Sequence, residues 1–324
     1  MRVSRSKFLL RPLFHVSAGV LAALVASESP GVEPVASWDF EGGAAGLDVV
    51  GAVVEVRGPD RGVSRTLAET SRAMGFSGDG DHLRVADSAD LRFDHGDEIT
   101  IECWLQCDSR GTNSYIVGKG RLSKGRENQN WALRLMRVGG SYRISFLFRS
   151  RAGAGQGEEF HRWNSAAGIS TGSLWHHVAV SYRFGEPGSI KAFIDGVKSD
   201  GRWDLGGATT RPPVVDDAEI WIGSSRGGDP GNSWRGAIDS LAIYRAILPD
   251  DVLAARVDFG DGPPAVDWGE VTGEAVQVEV FNGLARHAWP RRVARAPEKF
   301  QVPALALVEL PPLYDERGGR GRRA

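Results

Sequence analysis

From Trp175 to Tyr182 apolar and polar positions alternate with a period of two. Val178, Val180 and Tyr182 fall on one face, and Trp175, His177 and Ala179 on the other. Phe184–Ser189 carries Gly185, Pro187 and Gly188 and stops the strand. The alternation resumes with Ile190, Ala192 and Ile194 on one side, and Asp195-Gly196 follows. That dipeptide suits a type I′ turn, whose two central positions need positive φ. Leu174–Val197 is therefore predicted to be an antiparallel meander near the middle of a sandwich, with apolar residues on both faces. The same period sets Ile99, Ile101, Cys103 and Leu105 against Thr100, Glu102, Trp104 and Gln106. Further strands are predicted at Gly51–Val56, Trp131–Leu135, Ile144–Phe148, Ile220–Gly223 and Trp234–Arg245. On the last of these, simple alternation puts Ala237, Asp239, Leu241 and Ile243 on one face. Leu248-Pro249-Asp250-Asp251 starts a short helix, with proline in the first turn and acids at its positive end. Arg151–Ala167 reads as a long insertion, glycine- and alanine-rich at its start, of the kind that carries binding residues.

The two ends of the chain read differently from this middle. Arg2, Arg5, Lys7 and Arg11 precede the apolar run Leu13–Ala26, and Val25-Ala26-Ser27 supplies small residues, so residues 1–27 read as an export signal. The run falls short of the roughly 20 residues of a membrane span, and no later run is longer. The expected product starts near Glu28 and lies outside the cytoplasm: periplasmic, on the cell surface or secreted. Residues 28–34 form a Pro/Gly linker, and 35–259 the main domain. Residues 260–324 are an extension with strand candidates at Val271–Phe281 and Val302–Leu310. Two strands do not bury a core alone, so the extension either packs on the sandwich or begins a further domain. The basic Gly318–Ala324 reads as a solvated tail.

Composition narrows the class. The 324 residues include 42 glycines and 10 tryptophans, which fits many short strands joined by tight turns. A net charge of −2 gives no global field for nucleic acid. Cys103 and Cys107 are four residues apart on one strand. Their Cα atoms are then about 13 Å apart, beyond the roughly 7 Å limit of a disulfide, so they are expected as two separate buried thiols.

Several segments in order carry a resemblance. WHHVAVSY followed by IKAFIDGV (residues 175–182 and 190–197) resembles the WHHVA…LYVDG core of laminin G-like jelly rolls. Trp38-Asp39-Phe40-Glu41 resembles the opening strand of that family. AMGFSGDGDHLRV (73–85) resembles its strand pair around a Gly-Asp turn, with His82 where tyrosine is usual. ITIECWLQ, YIVGKG and WRGAIDSLAIYR resemble later strands. The resemblance spans about Val35–Val257 and implies an all-β, two-sheet antiparallel jelly-roll sandwich of the concanavalin A-like lectin/glucanase superfamily. Many such sandwiches hold a structural calcium ion between the first and last strands. The resemblance thus implies Ca2+ at Asp239, with Glu41 and Asp39 as the next acids and Asp81 as a weaker third. The alternative is a carboxylate that accepts backbone N–H bonds, since an acid in an apolar row must be paired, hydrogen-bonded or metal-bound.

The chemistry points to binding. Retaining glucanases set two carboxylates about 5–5.5 Å apart, and the E-x-D-x-E spacing that serves this is missing. Glu158-Glu159, Asp216-Asp217 and Asp250-Asp251 are adjacent pairs that point to opposite faces. GSSRG (223–227) matches the form of a nucleophile elbow at Ser225, but glycine and proline follow where a helix is required. His176 and His177 point to opposite faces and suit structural hydrogen bonds. Trp163, Trp203 and Trp234 lie in predicted loops or at strand ends and are the candidates for stacking a sugar, or else caps of the core. Trp104, Trp175 and Trp221 sit inside strands and are assigned to the core. The function expected is a non-catalytic extracytoplasmic module for a glycan or an extracellular protein, as part of a larger surface or secreted protein. A glycoside hydrolase or lyase on the same fold, and a structural spacer, are the alternatives.

Overall fold

The computed structural model describes residues 32–108, 113–138 and 141–258, with four dipeptides further on. Sixteen strands precede one short helix. They are β1 Ala36–Trp38, β2 Asp48–Val50, β3 Val54–Arg57, β4 Arg72–Ser77, β5 His82–Val85, β6 Glu98–Cys107, β7 Asn113–Lys119 and β8 Trp131–Val138, then β9 Ser141–Ser150, β10 Glu159–Ile169, β11 Trp175–Arg183, β12 Glu186–Ile194, β13 Val197–Ser199, β14 Gly201–Leu205, β15 Ile220–Ile222 and β16 Arg235–Tyr244. Helix α1 is Asp250–Ala254. The strands form two eight-stranded antiparallel sheets. The first runs β13-β12-β11-β6-β16-β4-β3 with β1 also on β16, and the second β14-β10-β9-β8-β7-β15-β5-β2. This is the two-sheet sandwich expected. Among the later dipeptides Ala265–Val266 pairs with Phe300–Gln301, and Phe281–Asn282 with Ala306–Leu307. The rest of the predicted strands there, and the export signal, lie outside the described residues.

The meander forms as its alternation predicts. Val178, Val180 and Tyr182 of β11 and Ala192 and Ile194 of β12 enter the core between the sheets. Asp195 and Gly196 take φ of 52° and 75°, the pair of positive values the tight turn needs. On β6, Ile99, Ile101, Cys103 and Leu105 enter the same core. Both cysteines are buried and outside any disulfide, and burial pushes the Cys103 thiol up from its usual range.

The outer face of the first sheet is also covered. Leu248 and Leu253 pack over Ala179, Phe193, Ala242 and Tyr244. Beside them Val63, Leu67 and Val257 pack over Ala73, Trp104, Trp175 and Ala237. Trp104 and Trp175 are thus buried as expected, but under a covering layer rather than between the sheets.

Two segments depart from the sequence expectation. Simple alternation fails on β16, where pairing with β6 slips between Asp239 and Ala242 and Ser240 takes φ of 48°. One extra residue in a strand swaps the faces that follow it. Leu241 and Ile243 therefore enter the main core while Ala237 and Asp239 face the covering layer. The bulge lies where β16 changes neighbour along one edge, from β4 to β1. The second departure is Arg151–Ala167, which is mostly not a loop: β10 begins at Glu159 and pairs with β9.

Candidate functional site

The outer face of the second sheet is built from residues that alternate with core positions on three consecutive strands. Leu133 and Leu135 of β8, Ile144, Phe146 and Phe148 of β9 and Trp163 of β10 point inward. The positions between them put Arg134, Ser145 and Asn164 side by side, and the ladder continues to Tyr115 on one flank and Arg202 on the other. Neighbours in such a row stand about 4.8 Å apart along the hydrogen-bonding direction. Tyr115, Ala132 and Leu147 form a small apolar floor against which Phe160 packs.

Three guanidinium groups gather on this floor, and Arg143 and Arg162 take outward positions on the same face. Arg121 lies 4.5 Å and Arg149 5.2 Å from the centre of the Phe160 ring, and Arg134 lies 5.0 Å from that of Tyr115. Arg121 also donates to the Tyr115 hydroxyl at 3.0 Å. Three carboxylates answer part of this charge. Glu127 is 3.3 Å from Arg121 and 3.9 Å from Arg149, Glu158 is 3.1 Å from Arg149, and Asp204 takes a two-pronged bond from Arg162. Among the described residues neither Arg134 nor Arg143 has a carboxylate partner; Arg134 donates to Asn113 Oδ1 at 2.8 Å and Arg143 to the Ser165 carbonyl at 3.3 Å. Arg134 is only 4% exposed, and burial, with Arg162 and Arg121 nearby, pulls its guanidinium below the usual arginine range.

Seven polar atoms here are buried without a hydrogen-bond partner: Arg121 Nε, Arg149 Nε and Glu127 Oε2, which lie in ion pairs, and Arg134 Nε, Arg143 Nε, Ser145 Oγ and Asn164 Oδ1. Orphaned buried groups of this kind are uncommon in folded proteins and each needs a cause. On the Tyr115 side, beyond β7, Trp221 stacks on His82, with ring centres 3.8 Å apart and planes 20° apart. Its Nε1 donates to Glu219, which in turn accepts two bonds from Arg84. Ile220 and Ile222 take the core positions on β15, so Trp221 faces out and stays half-buried. Its assignment to the core is thereby corrected.

A family model, Laminin_G_3 of the Concanavalin A-like lectin/glucanases superfamily, matches residues 77–253, more than half of the chain. The chain belongs to this laminin G-like family. None of the curated proteins compared matches it. Three solved structures show how distant its structural likenesses run. Domain 4 of AbnA, a GH43 extracellular arabinanase from Geobacillus stearothermophilus in complex with arabinotriose, is 15% identical with a TM-score of 0.47, over 70% of this chain and 99% of that one. The binding domain of Paraclostridial Mosquitocidal Protein 1 is 15% identical with a TM-score of 0.48, over 73% of this chain and 53% of that one. The Ruminococcus gnavus IT-sialidase CBM40 bound to alpha2,3 sialyllactose is 18% identical with a TM-score of 0.37, over 54% of this chain and 96% of that one. Scores below 0.5 at such identities say nothing of ligand or activity.

In this laminin G-like domain the predicted stacking tryptophans do not share a surface. Trp163 alternates inward on β10 and is 3% exposed, and Trp234, beside β16, is fully buried. Both belong to the core, so neither ring offers a face to a sugar. Trp203 pairs with Trp163 from the edge strand β14, packs half-buried against the core and donates Nε1 to the Pro187 carbonyl at 3.2 Å.

The acids named for calcium each accept hydrogen bonds within the chain. Asp239 is fully buried, and its two oxygens accept from Ser71 Oγ at 3.0 Å and Ser240 N–H at 2.7 Å. Glu41 accepts from the Arg72 N–H, Asp39 from the Glu41 N–H, and Asp81 from the Ser77 N–H. Among the described residues no three acidic, histidine or cysteine side chains converge. Asp239 thus holds one side-chain and one backbone hydrogen bond within the chain.

The histidine pair ties strands together. His176 Nδ1 meets Asp195 Oδ2 at 2.9 Å and its Nε2 meets Ser170 Oγ at 2.7 Å, while the second Asp195 oxygen accepts from the His177 N–H. His161 repeats the pattern, with Ser150 Oγ and the Gly207 carbonyl each at 3.0 Å. On the outer face of the first sheet Glu102 accepts from the Tyr244 hydroxyl at 2.7 Å and from Arg256 Nε at 3.1 Å, with His177 3.5 Å away. Ser225 donates to the Arg121 carbonyl and leads into no helix.

Proposed function

We propose that the protein is a non-catalytic, extracytoplasmic carbohydrate-binding module whose ligand lies on the outer face of the second sheet. The observation that carries this is the row Arg134–Ser145–Asn164. Three adjacent strands align these polar side chains on the outer face that also carries the outward-facing Trp221. A sugar presents hydroxyls at such spacings and brings apolar C–H faces for rings such as Trp221. The export-signal pattern of residues 1–27 supports a site of action outside the cytoplasm. Immobilised-glycan screening of the purified protein should find at least one binding oligosaccharide. Ser145→Ala should weaken it about tenfold, the effect of one or two lost hydrogen bonds to a ligand. Binding that survives Ser145→Ala, Asn164→Ala and Trp221→Ala unchanged would move the site elsewhere.

A second reading rests on Ser170. This exposed serine, His176 and buried Asp195 have the spacing of nucleophile, base and orienting acid. The repeat of a Ser–His bond at buried Ser150 favours a packing role for both. A fluorophosphonate probe should leave the protein unlabelled; labelling lost in Ser170→Ala would establish the acyl-transfer reading instead.

A further inference from the structure

We propose that the protein forms a symmetric dimer in which β3 of one copy pairs antiparallel with β3 of a second copy. β3 is the last strand of the first sheet and β2 the last of the second. Residues 51–53 join them, so both edges lie on one side of the sandwich. Val49 and Val54 on these strands are 50% and 55% exposed, the most of any large hydrophobic among the described residues. Sheet edges in soluble proteins are blunted by short strands, charges, bulges or a cover. The far side of the sandwich has such guards. β13 is three residues long, its Lys198 is paired with Asp250, and the Ala254 carbonyl of α1 stands over its turn at Gly196. β14 carries Arg202 and Asp204 and meets β10 across a bulge. On β3 three valines, Val53, Val54 and Val56, surround one acid and one base.

Hydrogen bonding and charge identify the occupant as a second copy. Gly58 donates to the Ser71 carbonyl at 2.7 Å, in register with Val54–Gly75 and Val56–Ala73. Opposed residues in an antiparallel ladder alternate between bonded and unbonded pairs. Val54, Val56 and Gly58 therefore spend their main-chain groups on β4. Glu55 and Arg57 turn theirs outward, where no strand lies among the described residues. A twofold axis through Val56 sets Glu55 opposite the second copy's Arg57, and Arg57 opposite its Glu55. Each becomes a bonded pair that exchanges both N–H···O bonds. Opposite charges so placed attract, and like charges repel. An axis through Glu55 or through Arg57 sets like charges face to face. An axis through Val54 leaves Arg57 opposite Gly51. Of these registers the one centred on Val56 satisfies main chain and charge together. Val54 then faces Gly58, which leaves room for its exposed side chain. The Glu55 and Arg57 side chains are more than half exposed, so their contacts with Arg72 and Asp60 exchange at little cost. The axis stands perpendicular to the sheets, so the outer faces of both second sheets look the same way.

The experiment is sedimentation of the full chain between about 10 μM and 1 mM, with amide hydrogen exchange beside it. The wild type is expected to pass from monomer to dimer over this range. Exchange at Glu55 and Arg57 should slow in step. Glu55→Arg alone opposes bases to bases, and Arg57→Glu alone opposes acids to acids. Each should weaken the dimer by about tenfold or more. The double reversal restores opposite charges and should restore the dimer. The two single variants, mixed, should form a heterodimer tighter than either makes alone, because one copy then brings two bases and the other two acids. Circular dichroism checks the fold of each variant; should one fail to fold, the concentration-dependent exchange of the wild type decides. A chain that stays monomeric at 1 mM overturns the proposal. So does a dimer indifferent to both single reversals, which would sit on another face. Equal protection of Glu55 and Arg57 at every dilution would assign the edge to a strand of the same chain, such as the candidate at 271–281, and overturn it as well.

Discussion

At pH 8, Asp239→Asn is expected to resist urea better than the wild type, by about 3 kcal/mol, and the two proteins should converge near pH 4. The ordinary effect of removing a buried hydrogen-bonded acid is the reverse. Here burial raises the Asp239 carboxyl to about 7, the charge of Glu41 adds to this, and the bonds from Ser71 and Ser240 offset only part of it. The sign follows from proton counting. Between about pH 4 and 7 the unfolded chain has released this proton and the folded chain still holds it. Raising the pH through that window therefore favours unfolding, and asparagine, which keeps the shape without the charge, escapes the penalty. Urea midpoints for both proteins at pH 4, 6 and 8 test this. A wild-type midpoint that does not fall toward pH 8 would sink it. A midpoint that rises with added calcium would restore the metal expected from the resemblance.

Glu102→Gln should cost about 3 kcal/mol at pH 7 and almost nothing at pH 2. Burial alone would raise this carboxyl, but the bond and charge of His177, the charge of Arg256 and the Tyr244 hydroxyl outweigh it and hold Glu102 at about 2. A folded value below the ordinary 4.5 makes the contribution complete above about pH 4.5, and it fades as the pH falls toward 2. Denaturant melts at pH 7 and 3 are the measurement. A Gln variant whose midpoint still drops between those values like the wild type would assign the acid sensitivity to other carboxylates. Taken with Asp239, which acts in the opposite direction, the two acids together contribute most near pH 4 to 5. Both acids lie under the layer that covers the first sheet, one beside Trp104 and the other beside Ala242.

Much of the fold could be read because strands write their faces into the chain at period two. Val178, Ile101 and Ile194 are where alternation puts them, and Asp195-Gly196 turns where its side chains permit. The misreadings have identifiable causes. Ser240 takes a positive φ in mid-strand, which no residue type near it advertises, and every assignment beyond it on β16 changes face. Gly153, Gly155 and Gly157 drew attention away from the strand that starts at Glu159, so Trp163 was assigned to a loop. The arginine face is hard to read from the sequence for a different reason. Arg134, Arg143, Arg149 and Arg162 occupy outward positions on β8, β9 and β10, a regularity visible in the chain once the strands are drawn. That they share a floor with Tyr115 depends on which strands lie side by side. Ladder order of that kind is a long-range property.

The way the chain joins the sandwich bears on how it carries load. It enters through β1, which holds β16 by a ladder of three residue pairs, and leaves across the outer side of the same sheet, where Arg256 is clamped to Glu102. Tension applied at residue 32 meets only that short ladder and can peel β1 away one bond at a time. Tension at residue 258 first meets a charged clamp and the buried Leu253. A bound polymer would pull from the opposite sheet, so force between ligand and anchor crosses the apolar core at right angles to the strands. Under such a pull the first thing to give is the leading strand, and the arginine face on the other sheet keeps its shape.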